Sequence, residues 1–142
     1  MIMKKLYSRI LSVLLHANTK RSETALSSVN RKISKGIQQW IEDKGFCRSD
    51  QTVSDFAEEI GVTEESLAYY SSAVLGERFS TFRKRLRLTE AHRLIEENPK
   101  EKIHVIAFRV GISDKANFRR QFHEQYGMAP SEWQKECMTR KK

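Results

Sequence analysis

Only two of the 142 residues are cysteine, Cys47 and Cys137, so the chain can build neither a disulfide framework nor a CxxC metal site. A reducing cytoplasm is the compartment that fits this thiol usage. No apolar run approaches the ~18 residues that a bilayer span requires, and no stretch of alternating apolar and polar residues bounded by turns suggests a sheet. The four histidines, at positions 16, 92, 104 and 123, show no H-E-x-x-H or other ligand spacing. They read as packing or surface residues, and no metal is expected. Neither the Ser, His and Asp content nor any Gly-rich phosphate loop supplies a catalytic arrangement, so the sequence points away from an enzyme and from any cofactor. Negative charge is scarce too. Eighteen Asp and Glu face 26 Lys and Arg, a formal net charge of +8, which predicts attraction to polyanions such as nucleic acid or acidic membrane surfaces.

What is present fits one compact domain or two very small ones. Hydrophobic residues make up 39% and charged residues 31%, enough for a modest core. The charge is uneven. Residues 1–50 carry 10 basic and 4 acidic side chains, 51–99 carry 6 and 9, and 100–142 carry 10 and 5. Between 51 and 77 there are six acids (Asp55, Glu58, Glu59, Glu64, Glu65 and Glu77) and no Lys or Arg, whereas 78–93 hold six basic residues against Glu90 alone. At the start, Lys4 and Lys5 followed by an apolar stretch have the order of a signal peptide. Ser8, Arg9 and Ser12 interrupt that stretch and no small-x-small site follows Leu15, which favours a short amphipathic helix over about 4–16.

The period of the apolar residues is helical throughout. Leu26, Val29, Ile33, Ile37, Trp40 and Ile41 fall at spacings of three and four, predicting a helix that ends near Gly45. Further helices are expected over about 53–60, 64–75, 81–97, 103–109, 114–126 and 131–138. Thr52, Thr63, Ser80 and Ser113 stand where a hydroxyl can cap a helix start, and Asn98-Pro99 closes the long one.

The strongest signal is an internal repeat. Val53, Phe56, Ala57, Ile60, Gly61, Val62 and Thr63 align with Ile103, Ile106, Ala107, Val110, Gly111, Ile112 and Ser113. After a one-residue insertion, Leu67, Gly76, Ser80, Phe82 and Lys84 align with Phe118, Gly127, Ser131, Trp133 and Lys135. Each copy reads as a short helix, a turn carrying glycine and a second helix. Alanine lets two helices cross closely, glycine relieves the turn four residues later, and Val or Ile plugs the corner. This is the pattern of a helix-turn-helix, present twice.

With these residues in view, positions 30–136 resemble the DNA-binding domain of the AraC family of bacterial transcription regulators. The most specific part is Ile106-Ala107-Phe108-Arg109-Val110-Gly111-Ile112-Ser113, then Phe118-Arg119-Arg120-Gln121-Phe122, then Tyr126-Gly127-Met128-Ala129-Pro130-Ser131-Glu132-Trp133. The stretch from Phe82 to Ile95 resembles the family's basic, leucine-rich linker helix. The resemblance implies an all-α fold of two three-helix subdomains joined by a long helix at about 80–97, here preceded by an N-terminal helical extension. It divides the chain into an extension or linker at 1–25, the DNA-binding domain at 26–136 (first helix-turn-helix 53–75, second 103–126), and a basic tail at 137–142. Family members commonly carry a sensing domain ahead of this module, so the chain is read as a short stand-alone member or a fragment.

Helical geometry nominates the residues that would meet DNA. At ~100° per residue, Phe118, Phe122 and Tyr126 share one side of the helix at 114–126, while Ala116, Asn117, Arg120 and His123 share the outward arc. Arg can bond bidentately to guanine and Asn to adenine in the major groove, so Arg120 and Asn117 are the expected readers, with Ala116 and Lys115 beside them. Arg119, Ser113, His123 and the linker residues Arg83, Lys84 and Arg85 are the expected phosphate contacts. In the first unit the positions matching the family's recognition helix are Glu65, Ala68 and Tyr69, with no basic residue nearby, so most reading is expected from the second unit. Double-stranded DNA is the expected partner. RNA polymerase is another, as is a second copy paired through the N-terminal helices or a sensor domain. A protein-interaction adaptor with weak DNA binding is the alternative reading, and attachment to a membrane surface through Lys4, Lys5, Arg9 and the apolar face of Leu6, Ile10 and Leu14 is a third.

Overall fold

A computed structural model describes Arg9 and residues 25–140. The extension expected at 4–16 and the surface attachment drawn from it, like any pairing through N-terminal helices, lie outside the described residues but for Arg9. The described part is all-α, with seven α-helices and no strand among those residues: α1 Ala25–Glu42, α2 Val53–Ile60, α3 Glu64–Tyr70, α4 Phe79–Glu97, α5 Ile103–Arg109, α6 Lys115–Tyr126 and α7 Pro130–Arg140. Two compact units form. One holds 25–45 and 50–83; the other holds 46–49 and 84–140. The chain of α4 passes from one to the other at Arg83-Lys84.

The first unit is built on aromatic packing. Ile33, Ile37, Trp40 and Ile41 from α1 are buried with Phe56 and Ala57 of α2, Leu67 and Tyr70 of α3, and Phe79 and Phe82 of α4. Trp40, Phe56 and Phe79 form a triangle with ring centroids 4.9–5.1 Å apart. The Trp40 Nε1–H donates to the Gln51 side-chain oxygen at 3.2 Å, and the Gln51 amide donates to Glu59 at 2.6 Å, so the buried polar edge of the indole is satisfied. Thr52 and Asp55 form the reciprocal cap at the start of α2, and Thr63 caps α3 through the Ser66 amide.

The second unit centres on Leu88, Ala91, Leu94 and Ile95 of α4, Ile106 and Ala107 of α5, Val110 and Ile112 of the turn, Phe118 and Phe122 of α6, and Trp133 and Cys137 of α7. Residues 46–49 belong to this unit because Arg87 grips them: its guanidinium donates to the carbonyls of Phe46 and Arg48, the latter at 2.7 Å.

Several boundaries differ from expectation for local reasons. The helix expected over 64–75 leaves α-geometry after Tyr70 and continues as a π-turn from Ser71 to Leu75, with the Ser71 hydroxyl donating to the Leu67 carbonyl at 2.8 Å. Ser80 is not a cap, since α4 begins at Phe79. Asp114, and not Ser113, caps α6: its carboxylate accepts from the Asn117 amide at 2.9 Å, and a carboxylate at a helix N-terminus gains from the dipole as a hydroxyl does not. The last helix runs through Arg140, so positions 137–140 are helical and Cys137 is core.

Candidate nucleic-acid interface

In the second unit the turn between α5 and α6 determines where α6 points. Ala107 is buried where the helices meet, and Gly111 takes φ +92°, in the left-handed region. A Cβ there would lie 2.6 Å from the Cys47 carbonyl oxygen and 3.1 Å from the Arg87 guanidinium, so no side chain fits. The Ile112 amide then closes the corner on the Ala107 carbonyl at 2.9 Å. From the other side, the Gln125 amide donates to the Thr89 hydroxyl at 3.1 Å and tethers α6 to α4.

With Phe118 and Phe122 buried, α6 presents its opposite face to solvent. Lys115, Ala116, Arg119, Arg120 and His123 are exposed, and Asn117 is half-buried. Arg120 and Asn117 are brought together directly: a guanidinium N–H of Arg120 donates to the Asn117 side-chain oxygen, which also accepts from Gln121 at 3.1 Å. Arg120 lies 3.9 Å from Glu124 as well, an exposed pair of small energetic weight. Asn117 therefore hydrogen-bonds the Arg120 guanidinium, so the two expected readers stand side by side on one face. Ser113 is exposed at the head of the same helix.

The basic stripe of α4 divides. Arg83 donates to the Gln51 carbonyl at 2.8 Å, and burial pushes its guanidinium below the ordinary range, so this arginine is engaged within the first unit instead of standing free on an outward face. Lys84 and Arg85 are half-buried. Arg87, on the same helix, is the clamp on Phe46 and Arg48. Glu90, the one acid among these basic residues, is buried and holds Arg93, 2.9 Å away.

In the first unit Glu65, Ala68 and Tyr69 are all exposed, Tyr69 at 61%. Their side of α3 is acidic and apolar, while the equivalent side of α6 is basic. Sequence reading passed over His104, Ser131 and Phe108: the first two line a groove beside α6, and Phe108 is 73% exposed on α5. Among the described residues no group of three His, Cys, Asp or Glu could hold a metal, and no helix is long and apolar enough to cross a membrane.

Residues 56–136 match the family described as a helix-turn-helix domain. No curated protein sequence matches the chain. Among solved structures, the C-terminal domain of AraT, a response regulator from Geobacillus stearothermophilus, is 26% identical with a TM-score of 0.64, covering 82% of this chain and 88% of that one. A transcriptional regulator from Chromobacterium violaceum, described as containing an AraC-type DNA-binding domain, is 19% identical with a TM-score of 0.67, covering 78% and 96%. The C-terminal domain of the two-component response regulator yesN from Fusobacterium nucleatum is 24% identical with a TM-score of 0.63, covering 70% and 95%. A match over more than half the chain, on a fold of two helix-turn-helix units, places the protein in a known group: the chain belongs to the AraC-type helix-turn-helix family of DNA-binding transcription regulators.

Proposed function

We propose that the protein binds specific sites on double-stranded DNA in the bacterial cytoplasm, reading the major groove mainly with α6 of the second unit. The observation that carries this is the Arg120–Asn117 pair on the exposed face of α6, a bidentate donor held ready beside an amide at the helix's N-terminal half, where a groove-seated helix meets base edges. Ala116 and Lys115 lie beside that pair in sequence, and Arg119, His123 and Ser113, all exposed, are phosphate contacts in this reading. Lys84 and Arg85 are further phosphate contacts in this reading; Arg83 is secondary, since its guanidinium is half-buried and anchored to the Gln51 carbonyl.

The first unit reads little. Glu64 and Glu65 at the head of α3 would sit against a phosphate backbone and be repelled, whereas Tyr69 offers an exposed ring suited to a protein surface such as RNA polymerase. Because the units are unequal, the bound site is asymmetric. Footprinting on a duplex recovered from a random pool tests the reading: protection of one asymmetric site, with affinity falling steeply as salt rises, supports it. Binding to a protein partner with no protected duplex would favour the adaptor reading instead.

A further inference from the structure

The two units contain the same groove with different charge, two cations in the second unit and one cation beside a carboxylate in the first. In the second unit a cavity of about 350 Å³ lies among the heads of α5 and α7 and the first turns of α6; its rim carries His104, Lys115, Arg119 and Ser131. In the first unit a cavity of about 400 Å³ lies among Val53, Glu64, Ala68, Phe79 and Ser80, with Arg78 also on its wall. In the register of the repeat, Glu64 falls on Lys115, Ala68 on Arg119 and Ser80 on Ser131. The fold therefore makes the groove twice, and its function is decided by what lines it.

We propose that the second-unit groove seats one DNA backbone phosphate, with His104 and Ser131 as ligands beside Lys115 and Arg119, and that Glu64 closes the equivalent seat in the first unit. This rests on the DNA-binding reading above. Two cations, an imidazole and a hydroxyl meet at this groove from three helices, and no carboxylate lines it. Glu132, the neighbour of Ser131, accepts from the Ala129 amide at 3.2 Å, which accounts for its carboxylate. The floor is apolar, with Ala107 and Phe118 buried, so the polar groups of the groove lie at its exposed rim, where a backbone phosphate would meet them. A phosphate held there would tie α5, α6 and α7 to one point on the backbone and set the register in which Arg120 meets the bases. In the first unit the single lining cation, Arg78, shares the groove with Glu64, and a phosphate would gain little.

The test uses the full chain with two duplexes, one selected from a random pool and one unrelated, titrated at several salt concentrations. His104→Ala combined with Ser131→Ala should weaken both duplexes alike, by about tenfold, with the selected sequence profile unchanged. Arg119→Gln should reduce the salt slope by about 0.9, and Glu64→Lys should raise it by about the same amount. A neutral methylphosphonate placed at each backbone position in turn should, at one position, weaken wild-type binding by more than it weakens the double variant, which keeps Lys115 and Arg119 but lacks the two hydrogen-bonding ligands. A folded double variant with wild-type affinity for both duplexes overturns the seat and leaves DNA binding intact; an unchanged slope in Glu64→Lys overturns the closed first-unit seat. No salt-dependent binding of either duplex by the wild type overturns the DNA-binding reading itself and the seat with it.

Discussion

Trp133 and His92 hold each other by two contacts: the indole Nε1–H donates to the His92 carbonyl at 3.0 Å, and the two rings stack at 4.1 Å, 16° from parallel. Tyr126 stacks on the same imidazole at 4.3 Å, so His92 sits in an aromatic enclosure made by α4, α6 and α7. Burial pushes the His92 imidazole below its ordinary range; Glu96 opposes this and Arg140 adds to it.

The sign of the pH dependence follows. A histidine whose folded pKa is depressed contributes stability that is fully present above its unfolded value of about 6.5 and is lost as pH falls through the lower folded value. The urea midpoint of the wild type should therefore drop between pH 7 and pH 5 by more than that of His92→Phe. Equal drops in the two proteins would remove His92 as the cause.

Gly61 and Gly111 are repeat partners with different surroundings. Both have positive φ, 78° and 92°, but a Cβ on Gly61 meets nothing within 4 Å, whereas one on Gly111 meets the Cys47 carbonyl. Gly61→Ala should cost ~1–2 kcal/mol, the left-handed penalty alone. Gly111→Ala adds a backbone clash of ~1–3 kcal/mol. Equilibrium unfolding of the two variants checks the order; equal losses would contradict it.

Phe122→Ala should destabilise the second unit by ~3–5 kcal/mol through a core cavity, because the ring is fully buried against His92, Phe118 and Tyr126. Its DNA binding should fail in step with its helical signal on mild heating. Loss of binding with unchanged stability would show that the ring acts at the interface and not in the core.

Glu65 is exposed on the first unit's recognition face. Glu65→Gln should tighten binding to unrelated duplexes, more at low salt than at high, because screening weakens the repulsion being relieved. A loss of affinity confined to one cytosine-containing position would make Glu65 a base reader, accepting from cytosine N4.

Much of the fold was legible because helical period and capping chemistry are local. Phe118 and Phe122 fall on one side of their helix by spacing, Trp133 matches Phe82 in the repeat, and all four are buried; Thr52 with Asp55 announces its cap. The misses came from interactions no local pattern encodes. Arg83 and Arg87 look like one stripe with Lys84 and Arg85, yet each is committed to a carbonyl 32 to 41 residues away. The π-turn after Tyr70 follows from packing and a Ser71 back-bond, not from period. On the interface side, the outward arc of α6 could be read directly, whereas His104 and Ser131 belong to neighbouring helices and meet α6 only once the unit is folded.

The central claim is that α6 reads DNA through Arg120. Selection of bound fragments from randomised duplex DNA, run in parallel with wild type and Arg120→Ala, tests it most directly. The account predicts that the wild type enriches one asymmetric site and that folded Arg120→Ala loses preference at a single base pair, at a cost of ~1–3 kcal/mol in specific binding, while keeping the rest. Identical enriched sequences from the two proteins, or no enrichment by the wild type at low salt, would contradict it.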